Sequence, residues 1–349
     1  MKNLKELTNL FGPSGFENEV AEWFFSKMKK CRNVDNVVKD KIGNVYAEIK
    51  GKSPRKVILS AHSDEVGFII TYIDDNGFIK FDTVGGIDKK ILPNTKVIIK
   101  GENDKKIKGV IGLNPPHAGG QDKVLEVKEL FIDTGLSKKE LEKLDIFIGC
   151  TATFDTEFEK SGDYYIGKAF DDRVGVSVLT HIAENLKNKP DFTLVLAVVV
   201  QEELGLRGGE VASKTVEPEF SLVFEGTFAM DTPGNTRENW STYSGKGPAL
   251  TLFDRSMAAD RKLVGFIKKI AEKNKISWQY KQPRNAGGTD AGKYHLGKNG
   301  VPSAVIAAPC RYIHSAYGML NKNDYENMKK LGLSIVENFK ISDIDKLYK

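Results

Sequence analysis

The spacing of apolar residues changes character twice along this chain. From residue 4 to residue 29 apolar positions recur at helical intervals, through Leu4, Leu7 and Leu10 and then Val20, Trp23, Phe24 and Met28, which predicts two helices. Phe11-Gly12-Pro13-Ser14-Gly15 breaks the pattern and predicts the turn between them. Ser14 is expected to cap the second helix, with Glu17 three residues later completing a capping box. Residues 44–49 and 56–61 then read as strands, the second an apolar run that predicts a buried one.

Between about residue 68 and residue 150 the pattern shifts to short alternating segments, 68–72, 78–81, 97–100 and 108–111, separated by Asp75-Asn76-Gly77, Gly85-Gly86 and Pro115-Pro116. Short strands with turn residues between them predict a small β-rich, barrel-like module. Past Gly162 helix alternates with apolar strand: 174–185 helical, 193–200 strand, 222–225 strand, 261–274 helical, 303–307 strand. That alternation predicts a mainly parallel sheet flanked by helices. The fold expected is therefore α/β, with one domain built from residues 1–67 and 162–349 and the β module, residues 68–161, inserted into it.

Composition adds exclusions. The chain has 349 residues, enough to bury a substantial core. Its 52 basic and 47 acidic residues are intermixed, and a net charge of +5 makes no nucleic-acid footprint. The longest apolar runs, 192–200 and 305–308, are too short to cross a bilayer, so no membrane partner is expected. Residues 1–6 are charged and unlike a secretory signal, and Cys31, Cys150 and Cys310 form no close pair, which predicts reduced thiols and a cytoplasmic setting.

Side chains able to bind metal recur at the ends of the predicted core strands, where open α/β sheets collect ligands. His62-Ser63-Asp64 follows strand 56–61 and supplies an imidazole with a carboxylate for its second N–H. Taken alone, a surface His beside a capping Asp is the commoner case. Asp171-Asp172 opens the helix that begins near Arg173, where adjacent aspartates commonly serve the cap and the macrodipole. Asp74-Asp75, by contrast, precedes Asn76-Gly77 and belongs to a hairpin turn. Glu202-Glu203 terminates the buried strand 193–200, a costly place for two carboxylates unless a cation pairs them. Glu225 is expected to end strand 222–225, with Gly226 letting the backbone turn. His314 lies just past strand 303–307, whereas His117, His181 and His295 are expected to be structural or exposed. Two histidines, an aspartate and several glutamates meet the needs of a dinuclear hydrolase. Mixed nitrogen and oxygen donors predict zinc, cobalt or manganese rather than magnesium or calcium.

The order of these residues resembles that of the cobalt- or zinc-dependent TET-type aminopeptidases, the glutamyl and deblocking aminopeptidase family, some of whose members carry an endoglucanase label. The resemblance runs through Ala61-His62-Ser63-Asp64-Glu65-Val66-Gly67, Lys168-Ala169-Phe170-Asp171-Asp172-Arg173-Val174-Gly175, Gln201-Glu202-Glu203-Leu204-Gly205, Gly287-Gly288-Thr289-Asp290-Ala291 and Tyr312-Ile313-His314-Ser315. It implies a zinc-exopeptidase-like domain and a metal-dependent aminopeptidase that removes N-terminal residues from peptides with a water activated by two divalent ions, zinc or cobalt, with manganese as a further choice. His62 and Glu225 would hold one ion, Glu203 and His314 the other, and Asp171 would bridge them. Glu202 would be the general base, with Asp64 orienting His62. Gly226, Thr227, Arg255, Gly288, Thr289 and Asp290 would border the substrate pocket. The resemblance also implies a homo-oligomer, with dimers formed through the inserted module and dodecameric shells built from them.

The chain departs from the family pattern at two places. Glu225 stands where many members have Asp, and Ala316-Tyr317-Gly318 follows His314-Ser315 where Pro and a later Glu are the family's choice. Other readings make different demands. A metal-dependent carboxypeptidase or deacylase would be told apart by its action on blocked-amino substrates. An endoglucanase would need two opposed carboxylates and no metal. A non-catalytic peptide-binding scaffold would lack a ligand or the base, and none is missing here.

Overall fold

The computed structural model describes residues 1–114, 117, 123–239 and 241–348. Pro115-Pro116, expected to be a turn, lies outside these residues. The chain opens with helices α1 (Lys2–Asn9) and α2 (Asn18–Lys29) and strands β1 (Asn36–Lys39), β2 (Val45–Ile49) and β3 (Ser53–His62). Next come β4 (Gly67–Ile73), β5 (Ile79–Val84), β6 (Lys96–Lys100), β7 (Lys106–Gly112), β8 (Phe131–Asp133), α3 (Lys138–Lys143) and β9 (Thr151–Phe154). The chain continues through β10 (Glu159–Ser161), β11 (Tyr164–Gly167), α4 (Phe170–Asn185), β12 (Phe192–Val199), α5 (Arg207–Val216), β13 (Phe220–Phe228) and β14 (Ala249–Thr251). It closes with α6 (Arg261–Lys273), β15 (Gln279–Lys281), α7 (Ala291–Tyr294), β16 (Ser303–Arg311), β17 (Gly318–Asn321), α8 (Lys322–Asn338) and α9 (Ile341–Tyr348). No helix among the described residues is long and apolar enough to cross a membrane.

Every residue of β12 is buried, as expected of a strand covered on both faces. It lies in a sheet ordered β1-β2-β12-β3-β13-β16-β17-β11-β10, to which β14 joins through β16 and β15 through β14. The run β12-β3-β13-β16 is parallel because helical crossovers connect its members. The outer pairs β1–β2, β10–β11 and β16–β17 are antiparallel, as their short connections require. The sheet thus takes in β10, which lies inside the range the residue pattern gave to the β module. Helix α4 packs on β3 and β13 together with α1, α2 and α8, while α5 and α7 pack on each other and reach β12, β13 and β16.

Strands β4 to β9 close into a barrel in the order β4-β5-β8-β7-β6-β9. Closure leaves no strand edge unpaired. The barrel has its own core, in which Phe68 meets Phe81 and Phe154 edge-on at 5.2 and 5.3 Å between ring centroids. Asp74 Oδ1 accepts from the backbone of Asn76 and Phe78, the turn expected at that pair.

The sheet runs into the barrel through Ser63-Asp64-Glu65-Val66, all buried. Glu65 ties the two cores together: its carboxylate accepts from Lys168 Nζ at 2.7 Å, from Arg173 Nη2 at 3.2 Å and from Thr153 Oγ1 of β9 at 2.8 Å. The capping box expected at the start of α2 does not form. Glu17 itself is the N-cap and makes no side-chain cap bond. Ser14 Oγ instead donates to Asp64 Oδ2 at 2.6 Å, and Glu17 Oε1 accepts from the backbone of Gly15 at 2.7 Å and Gln201 at 3.0 Å. Both side chains are taken by the strand ends that the turn at Phe11-Gly12-Pro13-Ser14-Gly15 packs against, and burial pushes the Glu17 carboxyl up to about 7.

Candidate metal centre and active site

His62 is the last residue of β3 and is almost wholly buried. Its Nδ1 lies 3.3 Å from Asp64 Oδ1 and 3.1 Å from the Asp64 carbonyl oxygen, so Nε2 points the other way. There it meets Asp171 Oδ1 at 3.2 Å and Glu225 Oε2 at 3.5 Å, with Glu202 Oε2 at 4.0 Å. His314, in the loop between β16 and β17, is held in the same manner. Its Nδ1 is 2.8 Å from the carbonyl oxygen of Gly86, which follows β5 of the barrel, and its Nε2 faces Glu203 Oε1 at 3.0 Å and Asp171 Oδ2 at 3.3 Å. Asp171 therefore stands with one carboxylate oxygen toward each imidazole.

The backbone is shaped to allow this. The Asp171–Asp172 peptide bond is cis, and Ala169, Gln201, Tyr312 and His314 all have φ between 55° and 59°. Non-glycine residues hold such angles only where the surroundings impose them, and they cluster at functional sites. Strand β13 does not end at Glu225 as the pattern suggested; it runs on to Phe228, paired with β16. Gly226 is needed for closeness rather than for a turn: a Cβ there would fall 2.8 Å from Asp171 Cβ, and its N–H donates to Asp171 Oδ1 at 3.2 Å. Asp64 does more than hold His62. Its Oδ1 and Oδ2 accept from the backbone N–H groups of Glu202 and Glu203, both at 3.0 Å, and so fix the end of β12.

The electrostatics of the cluster are crowded. Burial opposes charge on His62, yet Asp171, Asp64 and Glu225 outweigh it and hold the imidazole well above its ordinary range. For His314 burial is likewise overcome, by Asp171 and Glu203, and its pKa rises to about 11. Burial pushes Glu225 up to about 8 and raises Glu202 well above the usual carboxylate range, each further raised by neighbouring acids. Without a cation the cluster has to hold protons instead.

The donor set fits divalent metal. Three groups each offer ligand atoms within 4.8 Å of one another: His62 with Asp171 and Glu225, Asp171 with Glu203 and His314, and His62 with Glu202 and Glu203; the first two share Asp171. Both histidines are tethered at Nδ1 and present Nε2, an arrangement common for a metal-bound imidazole. Glu225 Oε1 is buried without a hydrogen-bond partner. A pair of cations would satisfy that oxygen and offset the buried acids.

The sequence profile of the M42 glutamyl aminopeptidases matches residues 43–331. This chain belongs to the M42 glutamyl aminopeptidase family. Among its relatives is the lysyl aminopeptidase of Pyrococcus furiosus, 30% identical over 97% of this chain and 97% of that protein. Among solved structures, aminopeptidase APDkam598 from the archaeon Desulfurococcus kamchatkensis is 36% identical and superposes with a TM-score of 0.95 over 100% of this chain and 97% of that one. The Pyrococcus horikoshii TET1 peptidase, described as able to assemble into a tetrahedron or a large octahedral shell, is 30% identical with a TM-score of 0.86 over 97% of this chain and 99% of that one.

In this M42 chain a cavity of about 470 Å³ opens beside the cluster. Gly226, Thr227, Arg255, Gly288 and Thr289 lie on its wall, as expected of pocket residues. Asp290 is off that wall: it is fully buried at the start of α7, its carboxylate packed on Gly209, where a Cβ would fall 2.3 Å from Oδ1. Of the histidines set aside from the sequence, His181 lies within α4 and His295 at the end of α7, while His117 is exposed. Sequence reasoning missed Glu65 and Lys281. The first was legible as a further acid beside the His62 motif, with Lys168 and Arg173 flanking Asp171-Asp172 as its counter-charges. Lys281 lies in the polar stretch Lys281-Gln282-Pro283-Arg284 and carries no signal of its own.

Proposed function

We propose that this M42 aminopeptidase releases N-terminal residues from peptides at a centre of two divalent cations. The observation that carries the reading is the Asp171 carboxylate between two imidazole nitrogens, 3.2 Å from His62 and 3.3 Å from His314. His62 and Glu225 would hold one cation, Glu203 and His314 the other, and Asp171 both. Zinc, cobalt or manganese suits this mixed donor set. When bound, such cations would polarise a carbonyl oxygen and make a bound water more acidic.

The remaining steps fall to the chain's own residues. Glu202, on the cavity wall and held by Asp64 through its backbone, takes the proton of the attacking water at its carboxylate and delivers it to the leaving amine. Burial raises its carboxyl well above the usual carboxylate range, and cations beside it would oppose that rise. Asp64 keeps His62 and the Glu202-Glu203 turn in register. The acid-rich end of the cavity favours a free ammonium group, which suits an enzyme acting at an amino terminus. The barrel's hold on His314 through Gly86 makes it part of the catalytic architecture, and we assign residues 68–161 the contact between protomers of a homo-oligomer. The shells described for the Pyrococcus horikoshii TET1 peptidase support a homo-oligomer.

Aminoacyl chromogenic substrates test the reading. Metal-depleted protein is expected to regain activity on adding cobalt, zinc or manganese and to act on free-amino but not N-acetylated substrates. Turnover of N-acetylated substrates, or full activity in strong chelator, would contradict it.

A further inference from the structure

The cavity beside Asp171 has two unlike sides. On the Glu225 side its wall includes Thr227 and Thr289, both buried, and half-buried Lys281. On the His314 side it includes Ile313 and Phe228. Phe228 is the last residue of β13, and its backbone is fixed there: it pairs with Cys310 of β16, and its carbonyl oxygen accepts from Thr242 Oγ1 at 2.7 Å. Side chains two apart on a strand share a face, so the Phe228 ring follows Gly226 to the face of β13 that meets Asp171. It comes to 6.0 Å from the His314 ring, between centroids. The ring is nonetheless 51% exposed. A large aromatic left in water on the wall of a catalytic cavity is apolar surface that a bound molecule can cover.

We propose that Phe228, with Ile313, receives the side chain of the peptide's second residue, the one that follows the scissile bond, and so favours substrates in which that residue is large and apolar. The inference rests on the aminopeptidase reading above. A peptide cut at its amino terminus places only its first residue at the enclosed Glu225 side; the rest of the chain runs out to solvent. With the scissile carbonyl at Asp171, the way out past His314 crosses the Phe228 ring, and the second side chain is the first to meet it. Covering that ring takes apolar surface of both partners out of water. Glycine covers little of it, and an aspartate there gives up hydration against an apolar face with nothing in return. The contact is made by the leaving group, so it acts separately from any choice of first residue.

The test compares metal-loaded wild type, Phe228→Ala and Phe228→Leu on tripeptides that share the first residue wild type releases fastest and end in alanine. The second residue is glycine, aspartate, leucine or phenylalanine, the N-acetylated phenylalanine peptide serves as blocked control, and release of the first amino acid is followed by chromatography. Wild type is expected to favour the leucine and phenylalanine peptides by about tenfold or more in kcat/KM, mainly through KM. Phe228→Ala should lose about tenfold on those two and stay within about threefold on the glycine peptide. Phe228→Leu, which keeps apolar bulk at the position, should retain most of the preference. Calorimetric titration with analogues whose scissile amide is reduced to CH2–NH gives a readout without turnover: the phenylalanine analogue binds wild type more tightly than the glycine analogue, and Phe228→Ala abolishes the difference. A wild type indifferent to the second residue, equal losses on every peptide, or a Phe228→Ala effect that follows the first residue when the second is held constant would overturn the role of Phe228 and leave the aminopeptidase standing. Failure of every free-amino peptide, or cleavage of the acetylated one, would overturn both.

Discussion

Glu202 and Glu203 are neighbours in sequence with different surroundings. Glu203 Oε1 lies 3.0 Å from His314 Nε2, whereas Glu202 comes no nearer to an imidazole than 4.0 Å from His62. We therefore propose metal binding for Glu203 and proton transfer for Glu202. Glu202→Gln should keep its metal content and lose about 10²- to 10⁴-fold in kcat; turnover within tenfold of wild type would remove Glu202 from the base role. A second residue reports on pH. Burial, with Lys329 nearby, lowers the His181 imidazole from 6.5 to about 4, partly opposed by Glu326, and Asn185 Nδ2 sits 3.0 Å from its Nδ1. The unfolded chain takes up the proton first as pH falls, so the stability tied to neutral His181 is present above about pH 6.5 and lost on the way down to about pH 4. Denaturant unfolding followed against pH should show that decline, and His181→Gln should flatten it. At this scale the sequence displayed the ligand candidates because strands deliver side chains to one sheet edge.

The elements around the site were readable to different degrees. Strand β12, the second half of β3 and the middle of β16 are largely apolar and buried, and such runs are legible because burial on both faces leaves little choice of residue. Strands β8, β11 and β14 are only three or four residues long, too short to establish a period, and they exist because neighbours pair with them. The failed capping box has the same cause: a local motif at Ser14 and Glu17 lost to long-range partners. Ser14→Ala should accordingly cost about 1 kcal/mol through the lost bond to Asp64, and also weaken metal retention. A helix-capping effect alone would leave metal retention unchanged. Glu65 joins barrel and sheet at a buried point, so Glu65→Gln leaves Lys168 and Arg173 without their counter-charge. A loss of about 3–5 kcal/mol in denaturant unfolding is expected; a loss below about 1 kcal/mol would show that this network does not hold the two cores together.

For the molecule as a whole, the sheet edge and the barrel meet at the candidate centre. Asp64 closes the end of β12, the barrel's Gly86 holds His314, and Asp171 reaches both imidazoles from the start of α4. Cation binding should therefore stabilise the entire fold, since ions that bind only the folded state add about 2.7 kcal/mol at a hundredfold excess over Kd. Chelator is expected to lower Tm as well as activity. The most direct test of the central claim is anomalous diffraction from crystals of the metal-loaded protein, recorded on either side of the absorption edge of the added cobalt or zinc. Two peaks are predicted, both touching Asp171, one flanked by His62 and Glu225 and the other by Glu203 and His314. A single peak, or peaks away from Asp171, would contradict the account.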